Sequence, residues 1–150
     1  MKYIDLHVHS NHSDGTFTPT ELVEEAIKHN LAAFALTDHD TVEGIPEALL
    51  AAEKAKEQGM EIRVLPGVEL SVGYKKKDIH ILGLLIDYTN STFSDTLEVA
   101  QAQRDRRNIK MAQNLFKAGI NITIGKLREA EGNAVLTRAH FAKFLVENGY

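Results

Sequence analysis

The chain has 150 residues, no cysteine, and 17 Lys and Arg against 21 Asp and Glu, for a formal net charge of −4. The length suits one domain with a real core, and 43% hydrophobic with 25% charged residues is ordinary for a soluble globular protein. Disulfides and thiolate metal sites are excluded, broad non-specific binding to nucleic acid is disfavoured by the sign of the charge, and no apolar run is long enough to span a bilayer. With no basic-then-apolar leader at the start, a cytoplasmic location without membrane attachment is expected. Any transition metal must be held by His, Asp and Glu, a donor set that suits Zn, Mn or Fe.

The first stretch, Ile4 to Ser10, alternates: Ile4, Leu6 and Val8 are apolar, while Asp5, His7 and His9 are polar. A period of two predicts a strand. His7 and His9 then project to one side, roughly 6.5–7 Å apart along the strand, and can converge on one ion. A polar loop follows, Asn11 to Thr16, with an Asp14-Gly15 turn signal. Thr18 as N-cap, Pro19 at the first helical position and Glu21 closing a capping box predict a helix from Pro19 to about Asn30, with Leu22, Val23, Ala26 and Ile27 buried.

Leu31 to Thr37 is an apolar run that reads as a strand buried on both faces, as in parallel sheets. It ends in the polar cluster Asp38-His39-Asp40-Thr41. A helix over Ile45 to Gln58 carries Leu49, Leu50 and Ala52, with Gly59 as its stop. Ile62 to Leu65 is a third strand, which Pro66-Gly67 turns into Val68-Glu69-Leu70-Ser71. Tyr74 to Asp78, with its three lysines, reads as a solvated turn, and Ile79 to Ile86 as a fourth, buried strand that is either antiparallel or differently paired. From near Ser91 the pattern is helical. A long helix over Ser94 to Ala118, capped by Thr92 or Ser94, carries Leu97, Ala100, Ile109, Ala112, Leu115 and Phe116. Asn121 to Ile124 is extended, Lys126 to Glu131 a short helix, and Thr137 to Asn148 a last helix with Phe141, Phe144 and Leu145 as its core stripe.

Strands alternating with helices predict an α/β fold with parallel pairing, in which ligands bind at the carboxyl ends of the strands. His7, His9, Asp14, His39 and Glu69 obey that rule, and His80 lies early in its strand. Glu69 is placed to bridge two metals. Asp5, Asp38 and Asp40 are candidates to accept a proton from the far nitrogen of a ligating imidazole, although Asp40 serves equally well as a cap. His29 reads as a surface residue and His12 as a loop residue within reach of a substrate. Arg104, Arg106 and Arg107 on the long helix read as a solvated face.

Together these residues resemble a known family. His7-Val8-His9-Ser10 with Ser13-Asp14-Gly15, then Thr37-Asp38-His39-Asp40-Thr41 and Pro66-Gly67-Val68-Glu69, are similar to the motifs of the polymerase and histidinol phosphatase (PHP) family. Ile79-His80-Ile81-Leu82-Gly83 and Thr137-Arg138-Ala139-His140-Phe141-Ala142 resemble its stand-alone metal-dependent phosphoesterase branch. The resemblance implies a distorted (β/α)7 barrel with up to three divalent ions. His7 and His9 would hold the first. Glu69 would bridge it to a second, also held by His80 and His140, and Asp14 and His39 would hold the third. The family pattern uses a further Asp and His from a late strand end, and the 150 residues stop before either. The chain is therefore expected to be the N-terminal part of the barrel, residues 1–90, with a helical insertion or cap, 91–150.

The implied activity is hydrolysis of phosphate esters of nucleotides, including 3′,5′-bisphosphates, or of RNA 5′ ends, through a hydroxide bridging two ions, with Glu69, His7 and His9 as catalytic residues. Arg138, Arg107 and His12 are the candidate contacts to the substrate phosphate. Two other readings share the ligands: a histidinol-phosphate-type phosphatase, and a non-catalytic metal-binding or regulatory module. A homo-oligomer is compatible with the sequence.

Overall fold

The computed structural model describes residues 2–75 and 77–150. Four strands form one sheet in the order β1-β2-β3-β4: β1 is Tyr3–Val8, β2 Leu31–Leu36, β3 Arg63–Tyr74 and β4 Lys77–Leu84. The β1–β2 and β2–β3 pairs are parallel and β3–β4 is antiparallel, so the fold is a mixed α/β half-barrel. Helix α1, Pro19–Lys28, and helix α2, Ile45–Glu57, are the crossovers between the parallel strands. The N-terminus of α1 is built as expected: Thr18 Oγ1 accepts from the Glu21 N–H, and Glu21 Oε2 accepts in return from the Thr18 N–H at 2.8 Å.

Two separate apolar cores result. Val23 and Ala26 of α1, Phe34 and Leu36 of β2, Ile45, Ala48, Ala51 and Ala55 of α2, and Val64 of β3 form the first. Its two largest side chains, Phe34 and Leu36, are each worth about 1.5–3 kcal/mol in burial. The second lies among helices α3 (Ser91–Lys117), α4 (Ile124–Glu131) and α5 (Arg138–Glu147), where Ala112, Ile122, Leu127, Leu136 and Phe141 meet. Among the described residues no helix is long and apolar enough to cross a membrane.

Several local expectations are corrected. Pro66-Gly67 does not turn the chain, because β3 runs through it for 12 residues. The ladder tolerates Pro66 because it pairs in parallel with Leu36 at the end of β2. Gly67 is needed there for space, since a Cβ would lie 2.7 Å from Thr37 Cγ2 and 3.0 Å from two backbone oxygens. Strand β4 is not buried: Ile79, Ile81, Leu82 and Leu84 are all exposed. Ile4, Leu50, Ile109 and Phe116 are likewise exposed. Helix α3 starts at Ser91, and its cap is Asn90, whose Oδ1 accepts from the Phe93 N–H at 3.1 Å. Helix α4 starts at Ile124 rather than Lys126, with Thr123 as its cap. In the expected lysine turn, Lys75 has φ +47, and Lys76 lies outside the described residues.

Candidate metal centre

The parallel strands deliver polar side chains to one rim. His9 follows β1, Asp38 to Asp40 follow β2, and an isolated parallel bridge sets His39 beside Glu69. That bridge is closed by the Asp40 N–H donating to the Glu69 carbonyl at 3.0 Å and the Glu69 N–H donating to the Asp38 carbonyl at 3.1 Å. The antiparallel return of β4 sets His80 opposite Ser71, two residues beyond Glu69 on the same face of β3.

Four imidazoles converge on the one carboxylate. Glu69 Oε2 is 2.9 Å from His7 Nε2, 3.0 Å from His9 Nε2 and 3.4 Å from His39 Nδ1. Glu69 Oε1 is hydrogen-bonded to His80 Nδ1. Asp14 closes the other side, 3.6 Å from His9 Nδ1 and 3.4 Å from His39 Nε2. The Asp14 loop reaches this position through Gly15, where a Cβ would sit 2.0 Å from the His9 carbonyl oxygen. Three groups of side chains lie close enough to share an ion each: His7, His9 and Glu69; His9, Asp14 and His39; His39, Glu69 and His80. Glu69 belongs to the first and third of these groups.

The donors present themselves in the state that binds cations. Burial, then the neighbouring His39, lowers the His9 pKa and keeps its imidazole neutral. Burial works against ionisation of Asp14, but the hydrogen bond and charge of His39 outweigh it and hold the carboxyl far below its usual range. Glu69 behaves in the same way, burial being overcome by the His7 hydrogen bond and by His39, His80 and His9.

Two features fit a cation specifically. His39 Nδ1 is buried without any hydrogen-bond partner, and its nearest carboxylate oxygen belongs to the cluster. The second is the tautomer of His9. The single proton of Ser13 Oγ is donated to Asp38 Oδ1 at 2.6 Å, so Ser13 accepts from His9 Nδ1 at 3.3 Å. His9 Nε2 then turns a lone pair toward Glu69 Oε2, acceptor against acceptor, which a divalent ion between them resolves.

The supporting carboxylates differ from expectation. Asp38 touches no imidazole: it accepts from the Ser10 N–H, Ser10 Oγ and Ser13 Oγ at 2.6–2.7 Å, and it reaches His9 only through Ser13. A nitrogen and two hydroxyls take three of its roughly four acceptor sites. Asp40 accepts from Arg104 Nε at 2.6 Å and from the Ser71 N–H at 3.0 Å. Asp5 accepts from the His7 backbone N–H.

Among the remaining expected residues, His140 is buried in α5 and, among the described residues, joins none of the three groups. Its Nδ1 accepts from the Thr137 N–H at 3.0 Å in a capping box, and its Nε2 is 3.9 Å from Glu131 Oε2. Burial lowers its pKa, the charges of Glu131 and Asp14 offsetting only part of the effect. His12 also stands apart, 3.9 Å from Glu43 Oε2, while its carbonyl accepts from the cap residue Val135 at 2.8 Å. Arg138 is exposed and paired with Asp78 of β4 at 2.6 Å. Arg107 is half-buried and, among the described residues, bonded only to Asn108 Oδ1. Burial and then the nearby Arg104 and Arg138 disfavour its charge. It lines a cavity of about 210 Å³ with Asp40, Ser71, His80 and Arg104, beside the cluster of imidazoles.

Arg104 was expected on the solvated face and is instead buried against Asp40. The signal for it lay in the helical period. Leu97, Arg104, Asn108 and Ala112, the buried residues of α3, recur at steps of seven and four.

The sequence matches the PHP domain over residues 5–136. The chain belongs to this family. It is 42% identical over 149 residues to a 5′-3′ exoribonuclease of Haemophilus influenzae, covering 99% of this chain and 52% of that one. It is 38% identical over 150 residues to a 3′,5′-nucleoside bisphosphate phosphatase of Chromobacterium violaceum, covering 99% and 51%. A solved candidate metal-dependent phosphoesterase of Bifidobacterium adolescentis superposes with a TM-score of 0.84 at 32% identity, covering 99% of this chain and 51% of that chain. The PHP chain thus spans about half the length of the relatives it matches.

Proposed function

We propose that this PHP chain carries the metal-holding rim of a phosphoesterase that acts on phosphate esters of nucleotides or on RNA 5′ ends. The observation that supports it most is the single carboxylate of Glu69 ringed by His7, His9, His39 and His80. The names of the relatives, an exoribonuclease and a nucleoside bisphosphate phosphatase, support the substrate class.

His7, His9 through Nε2, and Glu69 would hold one ion, Glu69 and His80 a second, and Asp14 and His39 a third; Mn, Zn or Fe suits these donors. Bound divalent ions would supply Lewis acidity, neutralising charge on phosphoryl oxygens and lowering the pKa of water. The chain's own residues do the rest. Glu69, ionised because four imidazoles surround it, keeps neighbouring donor groups in register. The Ser13 hydroxyl fixes the His9 tautomer. Arg107 supplies a guanidinium without a carboxylate partner at the cavity beside His80, suited to a substrate phosphate. Arg138 would have to leave Asp78 before it could do the same. Residues 91–150 would act as the cap over the rim.

The test is phosphate release with added Mn²⁺ from a nucleoside 3′,5′-bisphosphate, a short 5′-phosphorylated RNA and histidinol phosphate. Release from the first two is expected, with a fall of more than about 100-fold in His7→Ala and Glu69→Gln, beyond the loss typical of outer partners of a ligand. Undiminished release in both variants would reject the site. Preference for histidinol phosphate would reject the substrate class.

A further inference from the structure

The two ligand-type histidines at the heart of the cluster are held by different means. His9 is oriented through its ring, by Ser13. His39 has no such partner on Nδ1; its ring is met at Nε2, 3.4 Å from Asp14 Oδ2, so its direction depends also on the backbone that carries it. That backbone is fixed at the next residue. Asp40 sits in the left-handed region at φ +51, a conformation Asp tolerates better than most residues but adopts at some cost. All four of its polar groups are committed. Its N–H donates to the Glu69 carbonyl at 3.0 Å. Its carbonyl accepts from Gln101 Nε2 of α3 at 2.8 Å. Oδ1 accepts from the Ser71 N–H at 3.0 Å, and Oδ2 from Arg104 Nε at 2.6 Å. Arg104 Nη2 then donates to Ser71 Oγ at 2.7 Å.

One guanidinium from the cap therefore closes a ring through the end of β2 and the middle of β3. The residues it ties, Asp40 and Ser71, lie one and two positions from His39 and Glu69. Arg104 is 6% exposed and Asp40 1%. A buried ion pair of this kind is a poor source of net stability, since apolar groups of the same volume serve as well or better, but it specifies geometry where one partner demands the other.

We propose that Arg104 is a positioning residue: by clamping Asp40 to Ser71 it fixes the spacing of His39 and Glu69, and so couples the seating of the helical cap to the metal centre. This rests on the reading that His39 and Glu69 hold ions. Without Arg104 the Asp40 carboxylate is buried and half-paired, the left-handed turn relaxes, and the β2–β3 bridge at His39 and Glu69 loosens.

The experiment uses the intact chain with two readouts. Mn²⁺ affinity is measured by the electron paramagnetic resonance of the free ion, and backbone hydrogen exchange at residues 38–41, 69–71 and α3 is followed in the metal-free protein. Arg104→Gln is expected to weaken Mn²⁺ binding about tenfold, as for other partners that orient ligands. It should also speed exchange of the Asp40 and Glu69 amides together. Arg104→Lys should recover part of both, and adding Asp40→Asn to Arg104→Gln should cost no more than either alone. A merely structural role predicts a lower Tm with Mn²⁺ affinity within about twofold of the parent and additive variants, and that result overturns the clamp. Should Arg104→Gln fail to fold, Gln101→Ala, which removes only the contact to the Asp40 carbonyl, must still speed exchange at both amides; unchanged exchange overturns the proposal. If the parent itself binds no Mn²⁺, the metal reading falls and the exchange readout alone decides the clamp.

Discussion

At the rim of the sheet, Asp38 and Asp40 are almost fully buried, and every oxygen of their carboxylates has a donor within 3.0 Å. On helices α5 and α3, Arg138 is exposed in an ion pair with Asp78, and Arg107 meets, among the described residues, only an amide oxygen. Both regions place charge beside the same cluster of imidazoles, but only the rim fixes it. A site that binds several cations close together needs its donors set before the ions arrive, because the donors repel one another without them. A surface that grips an incoming phosphate needs cations that are still free to exchange partners. The difference predicts that damage to the rim, or to the buried Arg104 that ties it to α3, destroys the fold or the binding of metal, whereas damage to Arg107 or Arg138 changes substrate affinity.

The largest break on the rim side is Asp38→Ala. It strands the Ser10 N–H and the hydroxyls of Ser10 and Ser13, all buried. Hydrogen bonds to a charged group are worth about 1.5–3 kcal/mol each, so a loss of about 3 kcal/mol or more is expected in denaturant unfolding. The substitution also frees Ser13 to donate to His9 Nδ1, which leaves the proton on Nε2, the nitrogen that faces Glu69. Mn²⁺ affinity of the folded fraction should therefore fall as well. A variant as stable as the parent would show that the Asp38 network does not organise the rim.

This contrast also explains what the sequence could and could not reveal. The rim was legible because its chemistry is local. Alternation put His7 and His9 on one face, Thr18 with Glu21 announced α1, and the polar cluster after an apolar strand marked Asp38 to Asp40. Strand β3 was misread at Pro66-Gly67 because a turn signal and a strand that ends its parallel pairing there look alike in one dimension. The exposure of β4 was hidden because burial of an edge strand depends on what covers it, which no pattern within the strand encodes. The partners of Asp38 and Asp40 lie 25 to 64 positions away, beyond any periodicity argument. Only Arg104 left a trace, in its place on the buried stripe of α3.

On the cap side, Arg107→Ala should raise KM for a nucleoside bisphosphate about tenfold with kcat within about twofold, the signature of lost uniform binding. Arg138→Ala should change KM by less than about twofold, because an exposed pair such as Arg138–Asp78 is worth about 0–1 kcal/mol and must be broken before Arg138 can help. Equal effects of the two substitutions would place the phosphate between them and remove the distinction drawn from the cavity. A collapse of kcat in Arg107→Ala would move that residue from binding into the chemistry.

The smallest effect expected is on the metal-free protein as pH falls, and it separates the two regions by titration. Burial lowers the pKa of His9 on the rim and of His140 in the cap. Above about 6.5, the ordinary value, native and unfolded chains both carry these imidazoles neutral and stability is complete. Below it the unfolded chain takes up protons that the native chain refuses, so stability falls as pH drops through the lowered native values. The depressed carboxyls of Asp14 and Glu69 add a second loss that begins below about 4. The Tm in chelator should thus be level from pH 8 to 6.5, step down toward pH 5, and drop again below 4. His140→Gln should shrink the first step and leave the second, because Gln three residues after Thr137 can still close the capping box. A first step of unchanged size in that variant would assign the loss to the rim alone, and a Tm that rose on acidification from pH 7 to 5 would contradict the burial of both histidines.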